Sequence, residues 1–198
     1  MIVCVGHTKN KFLNLLSLVG DKEKFCVYNG LGAVPADVFL ANDRLSRDIG
    51  MYSVAMDMLP VDRAVFINDD ILHLSEGWWR MVEAFLADSN PPDIIGVANL
   101  ASWCDHEKLS GWQKHLAEQQ GKQPIFIRTS AFMCTRNWFN HLLSLWEGDA
   151  QKFEKATLKG ASRVVLLSPE DAYDSNTEPY IPTKARGHIQ SCQQGNTA

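Results

Sequence analysis

The sequence predicts an α/β fold, a single-domain three-layer αβα sandwich with a mostly parallel central sheet. Short apolar runs typical of buried strands alternate with segments of helical spacing along the 198 residues. This alternation is the pattern of a layered βα fold. Several of the apolar runs also end in polar residues, and the carboxyl ends of parallel strands are where ligands collect in open sheets.

The first half of the chain reads as strand, helix, strand, helix, strand. The runs are "MIVCV" at 1–5, "KNKFLNLLSLV" at 9–19, and "KFCVYNG" at 24–30, which closes on an Asn-Gly turn. A helix over 44–59 places its apolar residues on one face and stops at Pro60. The strand "RAVFI" at 63–67 follows it.

The second half continues the alternation. A helix starts at a Ser75 cap in "SEGWWRMVEAFLAD", and Ser-Asn-Pro-Pro at 89–92 ends it. Strands are predicted over 93–100 and 124–135, with a helix "RNWFNHLLSLW" after the second of them, and residues 162–171 are predicted as a last strand and turn. Residues 101–123 are predicted as a long loop or partial helix over one end of the sheet. We expect one domain over 1–175 and a C-terminal tail over 176–198 that frays or folds over the site.

Composition narrows the classes of function. The formal charge of −4 and pI near 5.8 give no basic excess, so we expect no nucleic-acid partner. No apolar stretch approaches the ~20 residues of a membrane helix, and the start lacks the order of a signal peptide. We therefore expect a soluble, cytoplasmic protein without a membrane span. The five cysteines are scattered without C-x-x-C spacing, which indicates reduced thiols and no zinc site.

The stretch "AVFINDDI" at 64–71 places an amide and two carboxylates at the end of an apolar run. Two adjacent carboxylates near a core lose hydration and repel each other unless a cation or several donors offset them. Oxygen ligands of this kind suit Mn²⁺ or Mg²⁺, which keep open positions for phosphate oxygens. The sequence therefore predicts metal-bound diphosphate chemistry at a crevice lined by four polar strand ends: Gly6-His7-Thr8, Asn29-Gly30, Asn68-Asp69-Asp70 and Asn99.

The order of these motifs resembles the GT-A fold glycosyltransferases, especially the family 2-like enzymes. The strand end "FINDD" and the following "EGWWRMVEAF" are similar to the metal-binding D-x-D region of that family. An opening strand with a Thr-containing loop ("VCVGHT"), a second strand ending "VYNG", the helix "SRDIGMYSVAMDM" and "FIRTSAFMCTRNWF" follow the family's order. The resemblance covers roughly residues 1–175. It implies that these residues form a nucleotide-sugar transferase domain.

The resemblance implies roles for single residues. Thr8 and Asn29 would lie near the nucleotide base, Asn68 and Asp69 near the ribose or donor sugar, and Asp70 would be the principal metal ligand. Asn68 departs from the acidic residue that is commoner at the first motif position, so the site has one charge fewer. In the tail, "TKARGHIQ" offers three further ligands to the metal or the phosphates, namely Lys184, Arg186 and His188.

Inverting members of the family use an acidic residue as general base on the acceptor hydroxyl. "SPEDAYD" supplies Asp171 and Glu170 for that role, and Glu147 and Asp149 are the alternatives. If no acid lies beneath the anomeric carbon, a retaining mechanism is the better interpretation. In the long loop, Trp103 with Asp105 and His106 either stacks on an acceptor sugar or fixes the loop to the core.

The function implied is transfer of a sugar from a nucleoside diphosphate-sugar, a UDP-sugar by default, to an unknown acceptor. A sugar-phosphate nucleotidyltransferase is a weaker alternative, because "VGHTKN" holds a single glycine and a single lysine where such enzymes have a Gly-rich basic loop. A non-catalytic module that binds nucleotide or glycan is the third alternative.

Overall fold

The computed structural model describes residues 1–41, 47–100, 124–168 and 170–174. The strands are β1 (Ile2–Gly6), β2 (Lys24–Tyr28), β3 (Phe39–Leu40), β4 (Arg63–Asn68), β5 (Ile71–Leu74), β6 (Ile94–Leu100), β7 (Pro124–Thr135), β8 (Val164–Leu167) and β9 (Ala172–Asp174). The helices are α1 (Lys9–Val19), α2 (Arg47–Met58), α3 (Glu76–Ala87), α4 (Arg136–Trp146) and α5 (Ala150–Ala156).

The central sheet is mostly parallel, as predicted. Within the described residues it has seven strands in the order β3-β2-β1-β4-β7-β6-β8. The pairs β2–β3, β1–β2, β1–β4 and β6–β8 are parallel. The one reversed strand in this part of the chain is β7, which pairs antiparallel with both β4 and β6. Because β7 is reversed, its start lies at the edge where the parallel strands end.

Helices cover both faces of the sheet and confirm the three-layer αβα architecture. On one face, Phe12 and Leu15 of α1 and Trp78 of α3 pack in a buried apolar cluster. On the other, α2, α4 and α5 enclose a second cluster in which Tyr52 and Phe139 contact Phe66 of β4. Each helix buries the apolar stripe that its sequence presents.

Several local predictions are confirmed in detail. Ser75 caps α3, since its hydroxyl oxygen accepts the backbone N–H of Trp78 at 3.1 Å. Cys4, Cys26 and Cys134 are buried within the two apolar clusters. In the described part of the chain no helix is long and apolar enough to cross a membrane. The predicted tail over 176–198 and the loop over 101–123 lie outside the described residues.

A short ribbon of β5 and β9 lies beside the main sheet and was not predicted. It is antiparallel, and Ile71, which directly follows the two carboxylates of "NDD", pairs with Asp174. At the other end of the ribbon Leu74 pairs with Ala172. The ribbon therefore brings β9 next to the end of β4.

β7 bulges where it passes β6. Gly96 pairs with Phe132, but Ala98 pairs with Ile127, so the segment 128–131 of β7 faces a single residue of β6. A Cβ atom on Gly96 would lie 2.4 Å from Cγ2 of Ile127, so only glycine lets the strands close at this point. Bulges of this kind turn side chains away from the regular alternation and are frequent beside active sites.

Candidate functional site

The polar ends of β1, β2 and β4 lie side by side at one edge of the sheet. β1 pairs in parallel with both neighbours, placing Gly6 opposite Tyr28 and Val5 opposite Asn68. The residues that follow these pairs, His7 and Asn29 and Asp69, therefore meet at the carboxyl edge. The fourth polar end, Asn99, belongs to β6, and its side chain lies outside the described structure.

Asp69 holds the loop between β1 and α1. The residue is 5% exposed, and its Oδ2 accepts the backbone N–H groups of His7 at 2.9 Å and Thr8 at 2.8 Å. Burial raises the pKa of Asp69, the two amide hydrogen bonds lower it, and the charge of Asp48 raises it. Thr8 makes no side-chain cap bond at the start of α1. The buried carboxylate, rather than a cap, thus fixes this loop.

His7 is the centre of a hydrogen-bonded group with Asn29 and Asp48. Its Nδ1 lies 2.5 Å from Oδ1 of Asn29, and its Nε2 lies 2.7 Å from Oδ1 of Asp48. Two oxygen acceptors favour a ring protonated on both nitrogens. The pKa of His7 is raised accordingly, mainly by the Asp48 hydrogen bond, while burial acts against it. Oδ2 of Asp48 accepts an N–H of Asn68 at 2.7 Å, so α2 is tied to both β1 and β4.

Gly30 lets this group assemble. A Cβ atom at this position would lie 1.9 Å from the carbonyl oxygen of His7 and 2.4 Å from the hydroxyl of Tyr28. Any side chain would push the loop after β1 away from the turn after β2. Glycine in the Asn-Gly turn is therefore required for the contact between His7 and Asn29.

Asp70 is the outward-facing carboxylate of the pair. Its side chain is 45% exposed, and Oδ1 accepts a hydrogen bond from Nζ of Lys11 at 2.6 Å. This contact raises the pKa of Lys11. The buried Asn68 accepts the backbone N–H of Asp70 at 3.1 Å and so fixes the turn. The two neighbouring aspartates thus differ in environment. Asp69 is buried and binds backbone amides of the protein, whereas Asp70 faces solvent.

A divalent cation fits the chemistry of Asp70. Mg²⁺ and Mn²⁺ are often held by one or two carboxylates together with substrate phosphates, and Asp70 presents one exposed carboxylate beside the start of α1. Among the described residues, no cluster of three or more His, Cys, Asp or Glu side chains is arranged to hold a metal by itself. A cation at Asp70 would also meet Lys11, whose ammonium group is on Oδ1.

Asp171 and Glu170 lie near the start of α3. Oδ1 of Asp171 accepts the hydroxyl of Ser75 at 3.3 Å, and its carbonyl oxygen accepts the Ser75 N–H at 2.8 Å. Its Oδ2 accepts the N–H of Ser168 at 3.1 Å, while Glu170 is exposed. Asp171 lies at the end of the ribbon away from β4. These contacts stabilise the helix start, and the role of either acid as a base stays a prediction.

The other predicted residues lie in different places. Glu147 follows α4 in a left-handed conformation with φ 46° and pairs with Lys152, and Asp149 precedes α5. The remaining ones are outside the described residues: Trp103, Asp105, His106, Lys184, Arg186 and His188.

A second polar cluster, which the sequence analysis did not identify, lies at the bulge of β7. We call it the bulge cluster; its members are Arg128, Thr129, Ser130, Glu154 and Asp174. Nε and Nη2 of Arg128 donate to the two carboxylate oxygens of Asp174 at 3.1 and 3.2 Å, and the Ser130 hydroxyl donates to Oδ2 at 2.7 Å. The Thr129 hydroxyl donates to Oε1 of Glu154 at 3.4 Å. The polar triplet inside the apolar run "PIFIRTSAFMC" was the available signal.

The bulge cluster lies at the same edge of the sheet as the "NDD" turn. Ile67 of β4 pairs with Ala131, so the bulge residues just before Ala131 lie next to the end of β4, where the "NDD" turn begins. The ribbon pairs Asp174 with Ile71. On α2, the Tyr52 hydroxyl donates to the carbonyl oxygen of Thr129 at 3.2 Å, one helical turn after Asp48. One edge therefore holds both polar groups.

Comparison with known proteins gives structural similarities only. No protein-family model matches the chain, and no curated protein matches it. It is similar to the galactosyltransferase LgtC in complex with donor and acceptor sugar analogues, at 9% identity over 86% of this chain and 74% of that chain, with a TM-score of 0.47.

Two other solved structures are similar to the chain. A glycosyltransferase involved in glycosylation of the major capsid of PBCV-1 is 13% identical over 85% of this chain and 81% of that chain, with a TM-score of 0.44. The inositol-1-phosphate CTP transferase from T. maritima is 13% identical over 92% of each chain, with a TM-score of 0.48. At these identities and TM-scores the activity has to be argued from the chain's own residues.

Proposed function

We propose that this chain transfers a sugar from a nucleoside diphosphate-sugar to an acceptor hydroxyl. The observation that supports the proposal best is the meeting of three polar strand ends at one edge, where the buried Asp69 fixes the loop and Asp70 faces outward. Such an edge is the usual ligand site of open α/β sheets. A UDP-sugar is the default donor from the sequence resemblance.

The side chains at this edge divide into recognition and support. In this proposal the nucleotide base lies against the exposed Thr8 and the half-buried Asn29, beside the half-buried ring of His7. Asn68 and Asp69 are 4% and 5% exposed and bind protein partners. In this proposal the two buried residues hold the loop and α2 in place. Any direct contact with the ribose or the donor sugar is made by the small exposed fraction of their side chains.

Asp70 and Lys11 form the phosphate end of the proposed donor site. Asp70 would hold Mn²⁺ or Mg²⁺ together with the diphosphate, and a metal there neutralises the phosphates and stabilises the leaving group. Lys11 supplies a positive charge in the first turn of α1, which has no acidic residue, and helix N-termini favour phosphate. The tail residues Lys184, Arg186 and His188 are further proposed ligands to this end of the donor.

The loop after β1 argues against the nucleotidyltransferase alternative. A triphosphate loop needs backbone N–H groups that point at the phosphates. In this chain the N–H groups of His7 and Thr8 both donate to Asp69. Those two donors are therefore not offered to a ligand, and the loop serves better as the wall of a diphosphate-sugar site.

Calorimetric titration tests the proposal. UDP, GDP and their sugar conjugates are titrated into the protein with Mn²⁺ and again with EDTA. We expect one nucleotide class to bind in the presence of Mn²⁺ and to lose affinity by at least about tenfold in EDTA or in Asp70→Ala. Because Asp70 is half exposed, the variant should keep the wild-type unfolding temperature.

A matched control is Asp37→Ala, which removes another carboxylate between β2 and β3 and should bind like the wild type. Metal-independent binding that Asp70→Ala leaves unchanged would refute the assigned role of Asp70. Absence of binding by every nucleotide would refute the donor site itself and favour the non-catalytic alternative with a glycan as ligand.

A further inference from the structure

Glu154 is a partly buried carboxylate at the edge of the candidate site, and the proposed donor site does not use it. It lies on α5, on the same face of the sheet as α2. Its Oε1 accepts the Thr129 hydroxyl at 3.4 Å. The backbone of Thr129 is in turn fixed by Tyr52, so the contact joins α5 to the bulge of β7.

The charges around Glu154 do not neutralise it. Among the described residues, the cation that acts on Glu154 is Arg128 of β7, and the acids that act on it are Asp174 of β9 and Asp149 before α5. Arg128 is bound at two points to Asp174, and the side chains of this pair are 13% and 5% exposed. The guanidinium charge is therefore largely compensated before it reaches Glu154.

This environment keeps a proton on Glu154 up to neutral pH. Burial raises its pKa from 4.5 to about 7, the charge of Arg128 and the Thr129 hydrogen bond lower it, and Asp174 and Asp149 raise it. A group that titrates near the working pH is the most effective proton acceptor, because it is both sufficiently ionised and sufficiently basic.

Two other acids, Asp174 and Asp171, are engaged with structural partners. Asp174 accepts three hydrogen bonds from Arg128 and Ser130, and Asp171 binds at the start of α3. Within the part of the chain that the structure describes, the Glu154 carboxylate accepts one side-chain hydrogen bond, from Thr129.

We propose that Glu154 is the general base of the transfer and that the bulge cluster forms the acceptor side of the site. The proposal rests on the proposed function. The acceptor hydroxyl gives its proton to the Glu154 carboxylate as its oxygen forms the bond to the anomeric carbon. The bond from that carbon to the diphosphate oxygen breaks, and the electron pair leaves on the nucleoside diphosphate. The Arg128–Asp174 ion pair joins the bulge of β7 to β9 beside Glu154.

The test measures release of UDP from UDP-glucose, UDP-galactose and UDP-N-acetylglucosamine, with Mn²⁺, water and free hexoses as acceptors, between pH 5.5 and 9. The proteins are the wild type, Glu154→Gln, Glu154→Asp and Asp171→Asn, and calorimetry with UDP accompanies each. Wild-type turnover should rise with pH through a midpoint of about 7. Glu154→Gln should lose about 100-fold or more in kcat, lose that midpoint and bind UDP like the wild type.

Glu154→Asp keeps a carboxylate on a shorter side chain and should recover part of the turnover, and Asp171→Asn tests the competing assignment of the base. Wild-type turnover and the same pH midpoint in Glu154→Gln would overturn the inference and leave the proposed function standing. Loss of turnover in Asp171→Asn alone would assign the base to Asp171. If the wild type binds UDP but releases none from any donor, the inference also fails. If the wild type does not bind UDP, the UDP-sugar donor of the proposed function fails first.

Discussion

Replacing Glu154 by glutamine should stabilise the protein in a pH-dependent way. The folded protein binds the Glu154 proton more tightly than the unfolded chain does, because the pKa rises from 4.5 to about 7 on folding. For a carboxyl group with a raised pKa, the stabilising contribution is present at acidic pH and is lost as the pH rises from the unfolded to the folded pKa. Glutamine does not titrate, so the free energy of unfolding of the variant rises relative to that of the wild type over that pH interval.

The magnitude follows from the size of the shift. At about 1.4 kcal/mol per pKa unit, the shift is worth about 3 kcal/mol as an upper limit. The residual exposure of the carboxylate reduces this to about 1 to 2.5 kcal/mol between pH 5 and pH 8. Both proteins share every other titrating group, so the difference between their free energies of unfolding isolates Glu154.

Urea unfolding followed by circular dichroism at pH 5, 6, 7 and 8 measures this difference. Glu83→Gln on the exposed face of α3 is the matched control for removal of one carboxylate. If the gap between Glu154→Gln and the wild type is the same at pH 5 and pH 8, the raised pKa of Glu154 is refuted. Glu154 would then lack the environment that makes it an effective proton acceptor at neutral pH.

Four further predictions concern the rest of the site. Lys11→Met should weaken UDP binding in the presence of Mn²⁺ by up to about fivefold in calorimetry, because an exposed charge pair is worth about 0.2–1 kcal/mol; unchanged or tighter binding would exclude Lys11 from the phosphate end of the site. Asp48→Asn should lower the pKa of His7 in an NMR titration, since the Asp48 hydrogen bond is the main cause of its rise, and an unchanged His7 titration would contradict the contact. Gly96→Ala should destabilise the protein by about 1–3 kcal/mol in urea, because its Cβ atom would overlap the β7 bulge; a neutral substitution would show that the bulge can move. Asp171→Ala should cost about 0.5–2 kcal/mol through the start of α3, and thermal unfolding identical to the wild type would exclude that role.

Elements with a long periodic pattern could be predicted from the sequence alone. The spans of α1 and α4 agree with the predicted 9–19 and 136–146 to the residue, because each has an apolar stripe and a clear N-terminal boundary. The strands β3 and β9 have two and three residues, which is too short for an alternating pattern to show. The reversed direction of β7 is set by its pairing with β4 and β6. A local sequence pattern does not show which strands pair or in which direction.

The candidate site could be predicted only where its residues are adjacent in the sequence. Asn68, Asp69 and Asp70 are visible in one motif, but their different environments follow from burial and from partners that the motif does not contain. Asp48 contacts a ring 41 residues away in sequence, and Glu154 contacts a hydroxyl 25 residues away. Contacts at such separations are created by the sheet and its helices, so residue type and local spacing could not reveal them.

The loop after β1 takes its shape from a carboxylate that is 61 and 62 positions away along the chain. Asp69 reaches that loop only when β4 is paired with β1, so the loop stays unformed while β4 is separate from β1. The cost of closing so long a chain segment must be met by the hydrophobic contacts between these strands before the loop gains its order. Exchange of the His7 and Thr8 amide hydrogens with solvent deuterium therefore reports on the pairing of β1 with β4. The edge that carries His7 and Thr8 therefore becomes ordered only after β1 and β4 have paired.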